Sequence, residues 1–249
     1  MSAGFYSFGM LKRVKFCVCM VVLNAGDLFK AIGMSSDSKK EIKNFYEALG
    51  AQGLANLLSP ARHAAYVEFL KKVLPAQGTI LDCACGYGRL TIPLAQAGYK
   101  LYGIDFSQKF IEKARAYGVQ QNLSIPFLVG DMCELPFTEA LFDVVICMWS
   151  SFSELLTVDD QVKALAQMGR VVKPSGFVLI DMPCPPDGEP LSDYERVNYA
   201  LLGGHEHVAF IHDEQSLGEL MRACGFTQFS FEYVDIGGIG RFIFRYIPK

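Results

Sequence analysis

The chain predicts a single α/β domain: a doubly wound parallel sheet behind a helical N-terminal cap. Three observations lead there. From residue 78 onward, short apolar runs alternate with helix-like stretches. The links between them are short, which builds right-handed β-α-β units and a sheet covered on both faces. The C-terminal part then changes character, with a Pro/Gly-rich stretch, one helix and two runs around Gly237-Gly238-Ile239-Gly240 that read as an antiparallel hairpin closing one sheet edge.

Taken in order, residues 37–74 are helical. Ile42, Phe45, Tyr46 and Leu49 recur at helical spacing, with Gly50 and Gly53 as punctuation. A second helix starts after Ser59-Pro60 and buries Ala64, Val67, Phe69, Leu70 and Val73. Strands are expected at 79–83, 100–104, 125–129, 142–148 and 177–180, with helices at 90–96, 108–117 and 159–172. A lid or insertion at 183–212 precedes a helix at 213–224, and the closing hairpin runs over 227–234 and 241–247.

Composition bounds the function. At 249 residues, 51% hydrophobic and 20% charged, the chain is long and apolar enough for a sizeable core, which excludes a disordered or collagen-like protein. A net charge of −3 gives little pull toward phosphate backbones, so neither nucleic acid nor membrane is an expected partner. The eight cysteines show no framework spacing and no C-x-x-C pair. They read as reduced, buried thiols in a cytoplasmic protein, with no metal site.

At the N-terminus, Leu11-Lys-Arg-Val-Lys15 precedes the apolar run 16–23, which mimics a signal peptide but is too short to span a bilayer. Met34 opens a fresh polar start. Residues 1–33 are therefore expected to be a dispensable extension, an upstream start included in error. Residues 34–249 form the domain, with the cap at 37–74 and the lid at 183–212.

Open parallel sheets bind ligands beyond the C-terminal ends of their strands. The first strand ends at Asp82 and runs into Cys-Ala84-Cys-Gly86-Tyr-Gly88-Arg89 before a helix. Small residues there let the backbone approach a ligand. A phosphate loop would need G-K-[ST] and a dinucleotide fingerprint G-x-G-x-x-G, and neither is present. An acid in the mouth of the turn repels a pyrophosphate and suits an ammonium group. The second strand ends at Asp105, twenty-three residues on, where a carboxylate can accept both hydroxyls of a ribose. The third ends at Gly130-Asp131-Met132, an acceptor and an apolar side chain suited to an adenine. Strand-end aspartates also cap helices and turns, so each alone is weak. Three in order are a pattern.

Ile80-Leu-Asp-Cys-Ala-Cys-Gly-Tyr-Gly-Arg-Leu, Gly103-Ile-Asp-Phe-Ser, Gly130-Asp-Met with Leu135-Pro-Phe, Phe142-Asp-Val-Val-Ile-Cys and Val171-Val-Lys-Pro-Ser-Gly resemble the ordered motifs of class I S-adenosylmethionine-dependent methyltransferases. The similarity covers residues 40–247. It implies a Rossmann-like sheet of seven strands in the order 3-2-1-4-5-7-6, with the last strand pair antiparallel, and S-adenosylmethionine as cofactor. Asp82 and the backbone from Ala84 to Gly88 would hold the methionine end. Asp105 would take the ribose hydroxyls and Phe106 would pack on the adenine. Asp131 would accept from the adenine amino group with Met132 against the ring, and Cys147 and Met148 would lie near the sulfonium. Ala84 departs from the family's usual glycine, and alanine resists a positive φ.

The resemblance leaves the acceptor open. Methyl transfer from a sulfonium is an in-line displacement that needs alignment and exclusion of water, and a base only when the acceptor must lose a proton. His205, His207 and Glu154 are the candidates for such a base. On a strand, His205 and His207 would share a face with Ala209. Trp149, Tyr194 and Tyr199 are candidate acceptor contacts, and Tyr46 and Arg62 of the cap could close over the cofactor. The Asn/Asp-Pro-Pro-Tyr/Phe segment of base and amide methylation is absent after the fourth strand, where Cys147-Met-Trp-Ser stands. No carboxylates sit there for a metal-dependent catechol-type reaction. A small-molecule acceptor is expected. Two rival readings are a non-catalytic binding or regulatory protein on the same fold and an NAD(P)-dependent oxidoreductase, for which Asp105 alone would fit.

Overall fold

The structure, a computed structural model, describes residues 38–56, 59–184, 195–202 and 205–248, without the side chains of 38, 195–202 and 205–208. The extension at 1–33, Tyr194, and the side chains of Tyr199, His205 and His207 lie outside the described residues.

Two helices precede the sheet. α1 (Ser38–Asn56) breaks its helical backbone at Gly50, where φ is 65°. α2 (Pro60–Val73) starts with proline in its first turn, and the Ser59 side chain caps it by accepting from the Arg62 amide at 3.2 Å. The alternating part follows as β1 (Thr79–Cys83), α3 (Thr91–Gln96), β2 (Lys100–Asp105), α4 (Gln108–Gln120), β3 (Phe127–Val129), β4 (Phe142–Cys147), a 3-10 turn (Ser151–Glu154), α5 (Val158–Val171) and β5 (Val172–Pro183). After these come β6 (Glu195–Leu202), β7 (His205–Ile211), α6 (Glu214–Ala223), β8 (Gln228–Asp235) and β9 (Gly240–Ile247).

The main sheet has the order β3-β2-β1-β4-β5-β9-β8. Setting aside β6 and β7, which pair only with each other, this is the expected 3-2-1-4-5-7-6. β1 to β5 run parallel to one another, and β9 runs antiparallel to both β5 and β8. Successive side chains on β1 and β4 go to opposite faces. Leu81, Cys83, Val145 and Cys147 join α5 and α6 residues such as Leu165, Met168 and Met221. Ile80, Val144, Ile146 and Met148 meet Tyr66 and Leu70 of α2 and Leu94 of α3. Both faces are thus covered, and the continuous apolar strands have nowhere to meet water.

The insertion was expected as a lid without assigned strands. The structure gives it a two-stranded sheet, β6 with β7, in which Tyr199 and His207 stand as cross-strand partners. β7 is the strand on which His205 and His207 were expected to alternate. The six described cysteines, Cys83, Cys85, Cys133, Cys147, Cys184 and Cys224, are free thiols. No helix among the described residues is long and apolar enough to cross a membrane.

Candidate functional site

Beyond the C-terminal ends of β1, β2 and β4 lies a cavity of about 500 Å³, roofed by α1. That size suits a small organic ligand. Its floor is the turn between β1 and α3. Ala84 has φ 63°, Gly86 56° and Gly88 83°, so the backbone coils through the left-handed region three times in five residues. Glycine does this freely, while an L-residue such as Ala84 is strained by roughly 1–2 kcal/mol. The turn is tied down by Cys85 N donating to Ile104 O at 3.0 Å and by Gly86 N donating to Asp105 Oδ2 at 2.8 Å.

The strand-end aspartates converge on this cavity. Asp82 is buried, and its Oδ2 accepts from the Thr91 hydroxyl at 2.5 Å. Burial pushes its pKa up to about 7, with neighbouring Asp105 adding to the rise against the Thr91 hydrogen bond and Arg89. Asp105 accepts from Ser107 N at 2.9 Å through Oδ1 and from Gly86 N through Oδ2. Burial raises its pKa to about 6 against those two amides. Each of its oxygens has a second lone pair for a ligand hydroxyl. Asp131 accepts from Cys133 N at 2.8 Å and from Lys39 Nζ at 3.0 Å. Burial acts to raise this carboxyl, but the Cys133 amide and Lys39 outweigh it and hold the pKa below its ordinary value.

The roof was only partly foreseen. Lys39, Ile42, Lys43 and Tyr46 form one stripe of α1 over the cavity, spaced three and four apart. Lys39 bridges Asp131 and Asp160. Tyr46 donates to Glu154 of the 3-10 turn and packs edge-on against Phe110. Burial, reinforced by Glu154, holds the Tyr46 phenol protonated.

At the far side, Trp149 (φ 62°) and Ser150 (φ 67°) are consecutive left-handed residues. Asp181, fully buried at the end of β5, holds them there. Its Oδ2 accepts from Trp149 N at 2.9 Å and from the Tyr66 hydroxyl at 3.0 Å, and its Oδ1 accepts from Arg241 Nε at 2.6 Å. The second arm of Arg241 donates to Ser150 Oγ at 2.6 Å. Strained residues held in place by such a network recur at functional sites. The Trp149 ring stacks on Tyr66 at 3.7 Å and carries the Arg89 guanidinium on it at 4.2 Å.

Of the residues expected from sequence, Asp82, Ala84, Gly86, Asp105, Phe106, Asp131, Met132, Met148, Trp149, Glu154 and Tyr46 line the cavity. Cys147 does not. The strand's alternation turns it into the core with Val145, so of the two residues expected near the sulfonium only Met148 lines the cavity. Gly88 also lies outside the lining. A Cβ there would come within 3.1 Å of Ile92 and Phe127, so the turn packs closely on its neighbours at this point. Arg62 is likewise not part of the lining. Arg89, Lys39 and the Asp181–Arg241 pair were missed. Arg89 stood beside the glycine turn in plain sight, and the stripe on α1 was a visible periodicity. Asp181 and Arg241 are joined only through sheet pairing across sixty residues. Among the described residues no group of three or more His, Cys, Asp or Glu could hold a metal ion.

Residues 80–176 match a family model described as a methyltransferase domain. YqeM of Bacillus subtilis (strain 168), a protein named as a methyltransferase, is 31% identical over 175 residues, spanning 65% of this chain and 70% of that one. The ubiquinone biosynthesis O-methyltransferase of Rickettsia akari (strain Hartford) is 30% identical over 162 residues, 59% of this chain and 61% of its own. Among solved structures, the 1,6-didemethyltoxoflavin-N1-methyltransferase of Burkholderia thailandensis, with 1,6-didemethyltoxoflavin and S-adenosylhomocysteine bound, has a TM-score of 0.64 over 92% of each chain. At 18% identity that likeness is one of fold.

Proposed function

Because the chain belongs to the class I S-adenosylmethionine-dependent methyltransferases, we propose that it methylates a small organic acceptor bound beside the cofactor in the cavity under α1. The observation that carries the reading is the convergence of Asp82, Asp105 and Asp131, from three successive strand ends, on one cavity. The donor set fits the cofactor: carboxylates for an ammonium, a ribose and an adenine amino group, on a turn that lacks the Gly-Lys-Ser/Thr sequence of a phosphate loop.

In this reading Asp82 and the turn from Ala84 to Gly86 hold the amino-acid end. Asp105 takes the ribose hydroxyls with its free lone pairs. Asp131 takes the adenine amino group, between Phe106 and Met132. When bound, the cofactor supplies an electrophilic methyl on a good leaving group. The chain's own contribution is alignment and dryness. Met148 and Leu155 line the cavity with apolar surface, and Trp149 closes the side on which the acceptor would lie. Glu154, which accepts from Tyr46, is the described carboxylate best placed to take a proton from an acceptor hydroxyl or amine. A role for His205 or His207 in the same task rests on their place in β7, which lies against the 3-10 turn carrying Glu154. The quinone-pathway enzyme and the toxoflavin-type enzyme among the similar proteins support a small, ring-bearing acceptor.

The test is turnover. The purified chain, given cofactor labelled in its methyl group and a panel of quinols, phenols and heteroaromatic amines, should move label to at least one acceptor with stoichiometric release of S-adenosylhomocysteine. Tight cofactor binding with no label transferred across the panel would count against catalysis.

A further inference from the structure

After β4 the chain turns through two consecutive left-handed residues without using glycine. Trp149 and Ser150 have φ 62° and 67°, a region that L-residues rarely enter. Glycine would make this turn at no steric cost, so the side chains kept here need another reason. The Ser150 hydroxyl is a handle, accepting from Arg241 Nη2 at 2.6 Å. The Trp149 ring lines the cavity. One carboxylate oxygen fixes that indole twice. Asp181 Oδ2 accepts from the Trp149 amide at 2.9 Å and from the Tyr66 hydroxyl at 3.0 Å, and Tyr66 is the ring on which Trp149 stacks. The Ser150 amide donates to the Asp181 carbonyl oxygen at 3.2 Å. Arg241 Nε closes the frame on Asp181 Oδ1 at 2.6 Å. Ile243 is the cross-strand partner of Asp181, so Arg241, two residues away on β9, stands on the same face of the sheet. Of Tyr66, Trp149, Ser150, Asp181 and Arg241, only Trp149 lines the cavity.

We propose that Asp181 and Arg241 are positioning residues of the acceptor site: through the Trp149–Ser150 turn they set where the indole stands, and so which acceptors fit, while touching neither acceptor nor cofactor. The inference rests on the methyl-transfer reading above and adds a specificity device to it. It gives the two ligands separate supports. The cofactor is assigned to the ends of β1, β2 and β3, whereas the Trp149 wall hangs from β5, β9 and α2. In-line displacement is steeply sensitive to alignment, and a misplacement of about 1 Å costs about a hundredfold in rate. A shifted wall therefore acts on acceptor turnover and leaves cofactor affinity alone.

The test compares wild type with Ser150→Gly, Arg241→Gln and Arg241→Lys, each checked for cooperative melting above the assay temperature. Ser150→Gly keeps the Asp181–Arg241 pair and relieves the left-handed strain at 150, yet removes the hydroxyl that Arg241 holds. Fluorescence of Trp149, the only tryptophan, reads the wall directly, and acrylamide should quench it more readily in Ser150→Gly and Arg241→Gln than in wild type. Calorimetry should find S-adenosylhomocysteine bound within about twofold of wild type. With the labelled cofactor and the acceptor panel above, kcat on the acceptor that wild type prefers should fall about tenfold or more, the KM for cofactor should hold, and the preference between acceptors should narrow. Arg241→Lys keeps a charge beside Asp181 but has no fork to span Asp181 and Ser150, so it should fall between wild type and Arg241→Gln. Folded variants with unchanged quenching and unchanged acceptor preference would overturn the proposal. So would a loss of S-adenosylhomocysteine binding in step with turnover, since the network would then be a general support of the domain. If wild type itself labels no acceptor, the methyl-transfer reading falls and takes the proposal with it, an outcome seen before any variant is made.

Discussion

On the floor of the cavity, Asp105 and Asp131 are oriented by amides two residues further along their own chain; on the roof, Lys39 and Tyr46 reach partners 92 and 108 residues away. The floor is set by strand ends and one turn. The roof is a helix held by side-chain contacts, and Lys39 is 41% exposed where it meets Asp131. Ion pairs that open to solvent contribute little, about 0–1 kcal/mol. The difference separates a half built from local backbone contacts from a half held by long-range side-chain contacts.

The two halves share one support. Asp181 holds Tyr66 of the cap, the Trp149–Ser150 turn and Arg241 at once. Asp181→Ala removes the carboxylate that the buried Arg241 guanidinium, the Tyr66 hydroxyl and the Trp149 amide share, and should destabilise the domain by about 3–5 kcal/mol in urea unfolding. A loss under about 1 kcal/mol would mean the network is incidental.

A second prediction concerns the floor's charge. Burial raises Asp105 to about 6 and Asp82 to about 7. Folded-state values above the unfolded ones mean that these groups favour folding below about pH 4, and that this contribution is lost as pH rises through 6 and then 7. Ligand binding has the opposite sense, because an ammonium and ribose hydroxyls want the ionised acids. S-adenosylhomocysteine should bind about tenfold more weakly at pH 5.5 than at pH 8, with proton release on binding near pH 6.5 seen as a dependence of the heat on buffer. A flat profile would remove Asp82 and Asp105 from the binding reaction.

Smaller effects separate roof from floor. Lys39→Ala should cost about 1 kcal/mol or less globally, yet speed amide hydrogen exchange along α1 while leaving β1 and β2 unchanged. Equal acceleration in both would show that the halves open together. Ala84→Gly should be the mildest change, stabilising by about 0.5–1 kcal/mol through relief of the left-handed strain, offset by the entropy of glycine.

The same contrast explains what could be read in advance. The strands, the order of the helices and the three aspartates are legible because each is signalled within a few residues: an apolar run, an acid at its end, a small-residue turn. The floor follows from them. The roof depends on which helix face meets which strand end, a matter of contacts a hundred residues apart, so Lys39 on Asp131 and Tyr46 on Glu154 carry no local mark. Cys147 and Met148 show the limit at the finest scale, since the β alternation that places one in the cavity necessarily buries the other. The β6–β7 pair escaped because the prolines at 183–190 and the Gly203-Gly204 pair mark the whole segment as irregular, although the two strands themselves contain neither residue.

The floor's carboxylates are the groups proposed to hold the adenosyl cofactor in this cavity. Calorimetric titration of S-adenosylhomocysteine into wild type and Asp105→Ala tests that assignment most directly. Micromolar binding that the substitution weakens by about tenfold or more, about 1.4 kcal/mol, is the expected result. Correctly folded wild type that takes up no ligand, or an Asp105→Ala variant that binds as tightly as wild type, would contradict it.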